Sequence, residues 1–167
     1  MKKVLLLTGP GGAGKTTVAR LLAEQGGYAW LDGDAVDSEF FPEGGHWLPQ
    51  NAETLRLAHD KILGEARKLF DEGNSVIVDY IVFGHYKEFI ERLRREFGKV
   101  LAIKVLFPSK EETVRRDIDR ECWTTGEKRI TEVMAEFEEL KGYIGSENYL
   151  DTTGQTPEET AAWLLKE

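Results

Sequence analysis

An α/β architecture, with helices covering both faces of a five-stranded parallel sheet, is predicted by three features of this 167-residue chain. Strand-like and helix-like segments alternate from end to end, the strands are short continuous apolar runs, and a glycine-rich loop joins the first strand to the first helix. The first strand is read over Lys3 to Thr8, and the helix after the loop carries Val18, Leu21 and Leu22 on one face. Tyr28-Ala29-Trp30-Leu31 forms a second strand ending at Asp32. A long helix follows, with Asn51 as its cap, Leu55, Ala58, Ile62, Ala66 and Leu69 on its packing face, and Gly73 closing it. Ser75-Val76-Ile77-Val78 is the third strand, before Asp79, and Leu101 to Phe107 is the fourth. Ser109 with Glu112 reads as a capping box opening an arginine-bearing helix. A helix with Met134, Phe137, Leu140 and Ile144 comes next, then a short strand at Asn148-Tyr149-Leu150 before Asp151. Thr156-Pro157-Glu158-Glu159 is a second capping box, with proline at the first helical position. In a sheet of this kind ligands sit at the carboxyl ends of the strands, where Gly9, Asp32, Asp34 and Asp79 all fall.

The length is that of one domain, read as residues 1–167, and is short for a motor or a multidomain ATPase. Cys122 is the single cysteine, so no intramolecular disulfide can form. The apolar run near the amino terminus is too short for a signal peptide or a membrane span, so a cytoplasmic location is expected. A net charge of −8 argues against a nucleic-acid surface, which needs clustered Lys and Arg. The expected state is a monomer or a homodimer.

Gly9-Pro10-Gly11-Gly12-Ala13-Gly14-Lys15-Thr16 is a complete G-x-x-x-x-G-K-[ST] phosphate-binding loop. Its glycines let backbone N–H groups turn toward phosphate oxygens, Lys15 brings a charge to the β- and γ-phosphates, and the Thr16 hydroxyl is placed to ligate Mg²⁺. The helix that follows adds its dipole to the same site. Gly11, Gly12, Ala13, Gly14, Lys15, Thr16 and Thr17 are thus the expected nucleotide-binding residues.

Two carboxylates in Leu31-Asp32-Gly33-Asp34, read as extended chain, point the same way, and the glycine between them allows close approach to a ligand. Asp32 is expected to order the metal's water shell and Asp34 to act as general base on an acceptor hydroxyl. The alternative is a plain Asp-Gly turn. Asp79 follows an apolar strand in the manner of a Walker B acid and is a further metal candidate; it could instead cap the next turn. Arg116 and Arg120 lie four apart on one helix face, where like charges repel unless an anion lies between them. A phosphoryl group in transit is such an anion, and both arginines are expected to neutralise it from a lid; Arg129 is a further lid candidate. The competing reading is a solvated face with Glu112 pairing Arg116 and Glu111 pairing Arg115.

Together these residues resemble the small P-loop kinases of the nucleotide-kinase-like group, which includes shikimate kinase, gluconate kinase, adenylylsulfate kinase and chloramphenicol phosphotransferase. The similarity rests on Gly9 to Thr16, Asp32-Gly33-Asp34, the helix around Arg116 and Arg120, and Asp151 to Glu159. It implies a three-layer P-loop NTPase fold with sheet order 2-3-1-4-5, a helical lid at about 116–130, an acceptor-binding segment at about 35–56, and transfer from ATP with Mg²⁺ to a hydroxyl. It also implies that Thr152, Gln155 and Pro157 lie beside the adenine ring.

For the acceptor the sequence departs from that group. Residues 21–55 contain no Lys or Arg, yet hold Glu24, Asp32, Asp34, Asp37, Glu39, Glu43 and Glu53. Sites for carboxylate or phosphate usually supply arginine forks, so a neutral or cationic acceptor such as a nucleoside, an amino alcohol or an antibiotic is expected. Phe40, His46 and Trp47, with Phe41 and the Gly44-Gly45 pair, and Tyr80, Phe83 and His85 after Asp79, are candidates for its pocket. Arg56, Lys61 or Arg67 could reach inward and serve an anionic, adenylylsulfate- or gluconate-like acceptor. A GTP switch is disfavoured because no N-K-x-D or T-K-x-D occurs. A polynucleotide 5′-hydroxyl kinase and a non-kinase ATP-binding module are the remaining alternatives.

Overall fold

The computed structural model of the chain describes residues 2–82, 86–119 and 124–167. Phe83, His85, Arg120 and Cys122 lie outside the described residues. Five strands, β1 (Val4–Thr8), β2 (Ala29–Asp32), β3 (Val76–Asp79), β4 (Leu101–Leu106) and β5 (Tyr149–Leu150), form one parallel sheet in the order β2-β3-β1-β4-β5. The described helices are α1 (Lys15–Gly26), α2 (Gly33–Phe40), α3 (Ala52–Asp71), α4 (Tyr86–Phe97), α5 (Lys110–Ile118), α6 (Glu127–Ile144) and α7 (Pro157–Leu164).

The central strand β1 is buried along its whole length, which is why its sequence is continuously apolar and does not alternate. Its side chains nevertheless divide between two cores, because successive residues point to opposite faces. Leu5 and Leu7 join Val18, Ala19 and Leu22 of α1 and Ala161 and Leu164 of α7. Val4 and Leu6 join Ile62 and Ala66 of α3, Phe89, Ile90 and Leu93 of α4, and Val133 and Phe137 of α6. A fully buried leucine such as Leu22 contributes about 1.5–3 kcal/mol by leaving water, and truncating it to alanine costs about 2–5 kcal/mol.

The register decides where the site lies. Asp32 pairs with Asp79 across β2 and β3, and Asp79 pairs with Leu7 of β1, so both acids stand at the carboxyl end of the sheet beside the loop that leaves β1.

Local chemistry departs from expectation at three places. Asn51 does not cap α3 with its side chain; its Nδ2 donates instead to the Gly45 carbonyl at 2.9 Å and ties the preceding loop to the helix. Only half of the Ser109 box forms: Ser109 Oγ accepts from Glu112 N, but the Glu112 carboxylate is taken by Arg115 and Arg116, a stronger charge-assisted pairing. The Thr156–Glu159 box is complete. Finally, the chain is not extended through Asp32-Gly33-Asp34, because α2 begins at Gly33 and Asp32 is its cap, accepting from Ala35 N at 3.0 Å. Packing requires Gly33: a Cβ there would lie 2.7 Å from the Cβ of Tyr80.

Candidate active site

The loop between β1 and α1 turns through left-handed glycines, Gly12 at φ 83° and Gly14 at φ 91°, conformations costly for residues with a Cβ. A Cβ on Gly12 would also meet the Thr113 carbonyl at 2.6 Å, so the loop rests directly on α5. Gly14 caps α1 without a side chain and the first turn holds no acid. The amide donors at this helix start are therefore left to a ligand, the arrangement that favours an anion. Lys15 is buried and its Nζ donates to the Pro10 carbonyl at 3.2 Å, folding the ammonium over the loop's own concavity.

Arg116 holds the two sides of this concavity together. Its guanidinium donates to the carbonyls of Ala13 in the loop and of Thr152 and Gln155 after β5, at 3.3, 2.9 and 3.2 Å, while Nε donates to Glu112 at 2.8 Å. The Glu112–Arg116 pair expected of a solvated face thus forms, yet the arginine is half-buried and faces the site. Glu111 is not the partner of Arg115, which pairs with Glu112 and Asp119. Two arginines on Glu112 hold its carboxyl well below the usual range, at about 2.

Asp117 escaped the sequence reading. Its buried carboxylate accepts from Thr125 N at 2.9 Å and Gly126 N at 3.0 Å, fastening the start of α6 to the end of α5. The signal was weak, a single acid among alternating charges, and its partners lie eight and nine residues on.

The three acids of the strand ends divide in role. Asp34 stands in the first turn of α2 and accepts from Ile81 N at 3.3 Å. Burial pushes its carboxyl up to about 7, against the opposing pull of Lys15 and with added repulsion from Asp79. Asp79 is fully buried, and neither of its oxygens has a hydrogen-bond partner among the described residues. Burial raises its pKa, while Lys15, Thr16 and Trp30 stand near enough to favour the charged form. This orphaned carboxylate beside Thr16 fits an Mg²⁺ site completed by waters and phosphate oxygens. Among the described residues no His, Cys, Asp or Glu cluster forms an all-protein metal cage, which that kind of site does not need. Asp32 is committed in part to capping α2, so one of its oxygens already has a partner.

A cavity of about 1200 Å³ runs from the glycine-rich loop to α2 and the loop that follows it. Gly11 to Thr17, Arg116, Thr152, Gln155 and Pro157 line one end, and Asp34, His46 and Trp47 the other, together with Asp37, Phe41 and Arg129. Three residues expected there are elsewhere. Phe40 packs beside Phe41, Leu55 and Ala58; Arg56 is exposed and paired with Glu88; Tyr80 is fully buried behind Asp37. Lys61 and Arg67 also pair on the outside of α3, with Glu39 and Asp71 among their partners. Nor is the Asp34 and Trp47 end of the cavity free of cations, as residues 21–55 suggest. Arg129 of α6 places its guanidinium 5.1 Å from the centre of the Trp47 ring, with Glu132 and Glu136 beside it.

The AAA domain family matches residues 5–139, from β1 through most of α6. The chain belongs to this family. Solved structures similar to this AAA-domain chain include a sugar kinase from Janibacter sp. (20% identity, TM-score 0.77, covering 99% of this chain and 94% of the other). Shikimate kinase from Acinetobacter baumannii is similar at 20% identity and TM-score 0.67, over 99% of this chain and 92% of the other. A gluconokinase from Sinorhizobium meliloti is similar at 17% identity and TM-score 0.61, over 98% and 94%. At these identities the likeness is one of fold, and that fold is the kinase-like P-loop architecture with the expected strand order. No curated protein matches the chain by sequence.

Proposed function

We propose that this chain is an ATP-dependent small-molecule kinase that transfers the γ-phosphoryl group to an acceptor hydroxyl, with residues 1–167 acting as one kinase domain. The observation that carries the reading is a single cavity joining the open N-terminus of α1 and Lys15 to the raised carboxyl of Asp34. Residues 11–17 bind the phosphates, and Thr152 and Gln155, whose carbonyls Arg116 holds, lie with Pro157 against the adenine. Thr16, Asp79 and Asp32 hold Mg²⁺, which when bound neutralises charge on the transferring phosphates. Asp34 accepts the acceptor's hydroxyl proton, the acceptor oxygen bonds to the γ-phosphorus, the bond to the β,γ-bridging oxygen breaks, and ADP leaves. Lys15 and the lid arginines Arg116 and Arg120 neutralise the group in transit, and the lid is the segment at about 116–130. A pKa near the working pH suits Asp34 to proton transfer.

The acceptor, bound by the segment at about 35–56, is neutral or cationic, since Asp34 and Asp37 face it and Arg56, Lys61 and Arg67 do not line the cavity. One observation favours an anionic acceptor instead, the Arg129 guanidinium over Trp47. Acceptor-dependent ADP release, measured across polyols, amino alcohols, nucleosides and sugar acids, tests both. Turnover of sugar acids alone would overturn the charge reading, and ADP release indifferent to every acceptor would overturn the kinase.

A further inference from the structure

Asp37 lines the acceptor end of the cavity with only 3% of its surface exposed. Its Oδ2 is held from behind: the Tyr80 hydroxyl donates to it at 3.1 Å. With that proton committed, His59 Nε2, 3.1 Å from the same hydroxyl, must be the donor to Tyr80. Tyr80 and His59 are both buried, so two core residues are arranged to hold one carboxylate. Its other oxygen, Oδ1, has no hydrogen-bond partner among the described residues. A buried carboxylate oxygen without a donor is costly unless a ligand supplies one. Asp37 stands three residues after Asp34 on α2, so the two carboxylates share a helix face roughly 5–6 Å apart at their Cβ atoms.

Building on the kinase reading, we propose that Asp37 selects the acceptor. Its Oδ1 takes a hydrogen bond from a second donor group, hydroxyl or protonated amine, on a small polyol or amino alcohol whose first hydroxyl is phosphorylated at Asp34. Tyr80 and His59 are positioning residues that orient the Asp37 carboxylate. The spacing of the two acids sets the spacing of the two donor groups, about one helical turn, and an acceptor with one hydroxyl and no second donor leaves Oδ1 unsatisfied.

The test uses the full chain with a non-hydrolysable ATP analogue. Calorimetry measures binding of a hexose, a cyclic polyol, an aminoglycoside, ethanolamine and a simple monohydric alcohol, and ADP release is followed in parallel with ATP. A polyol or amino alcohol should bind, and Asp37→Asn should weaken it at least ten-fold while analogue affinity stays within three-fold. Tyr80→Phe should weaken it about three-fold, raising the acceptor KM more than it lowers kcat. A deoxy or deamino analogue lacking the second donor should bind wild type and Asp37→Asn alike. Binding without phosphoryl transfer would remove the kinase reading and leave the Asp37 assignment standing. Phosphorylation with equal acceptor affinity in wild type and Asp37→Asn would do the reverse. Failure of every polyol and amino alcohol to bind, or a preference for the monohydric alcohol, would overturn the assignment.

Discussion

The two ends of the cavity are built on opposite principles. The phosphate end is backbone: glycine amides, the open start of α1, and carbonyls of Ala13, Thr152 and Gln155 all gathered by Arg116. The acceptor end is side chains, with Asp34 pushed up to about 7, Asp37 pushed up to about 6, and His46 pushed down, in each case chiefly by burial. At one end Arg116 ties the walls together through backbone carbonyls and leaves the amides of α1 open; at the other, the buried Oδ1 of Asp37 has no hydrogen-bond partner among the described residues. On the proposed kinase reading, the first end would take the nucleotide and the second would select the acceptor.

Breaking the phosphate end should have the largest effect. Lys15→Ala is expected to lower kcat/KM by about 10⁴-fold, because it removes the charge facing the transferring group. Asp34→Asn should cost about 10³-fold in kcat while ATP-analogue affinity changes little, since it deletes a base and no phosphate contact. Near-full turnover in that variant would refute the base assignment. Asp117→Ala strands two amides at the start of α6 and should lower stability by about 2–4 kcal/mol in urea unfolding, with a raised KM for ATP.

Asp37→Asn sharpens the comparison through stability and pH. Because burial raises the Asp37 carboxyl from 3.8 to about 6, the folded chain holds its proton more tightly than the unfolded chain does. Its contribution to stability is therefore present below about pH 4 and lost as pH rises through 6. Asp34 on the same helix face, His46, Tyr80 and His59 are titratable groups around it. The asparagine variant should gain about 2 kcal/mol over wild type at pH 8 and little at pH 4, read by thermal unfolding at both values. Equal effects at the two pH values would show that the buried charge carries no cost. Trp47→Ala should have the smallest effect, about 0.5–1 kcal/mol, because the ring is half-exposed and, among the described charged and aromatic neighbours, meets the Arg129 guanidinium and the edge-on His46 ring.

The contrast also explains which residues were legible. Gly9 to Thr16 could be read without a structure because its geometry is made by consecutive residues, and the Thr156–Glu159 box formed for the same reason. The sequence singles out Asp32 and Asp34 as neighbours, but the extended chain it predicts for them is the start of α2, so their relative direction is set by the helix. Tyr80 was expected on the pocket wall and stands behind it, because Gly33 lets the strand end pack against its ring. Arg129 is legible as a lid candidate but its place over Trp47 is not, because that ring comes from a distant segment, and Asp117 is not legible because its partners lie eight and nine residues on.

By itself the sequence determined the alternating architecture, the phosphate-binding loop and the carboxyl-end location of the site, since each follows from local periodicity or from spacing within a few residues. Tertiary structure alone decided that Arg116 closes the nucleotide end, that Arg129 enters an acceptor segment bare of cations, and that Asp37 rather than Tyr80 faces the cavity. Those outcomes depend on which helix lies over which strand, and burial, which sets both the charge state and the unmet hydrogen bonds of these groups, exists only after the elements have packed.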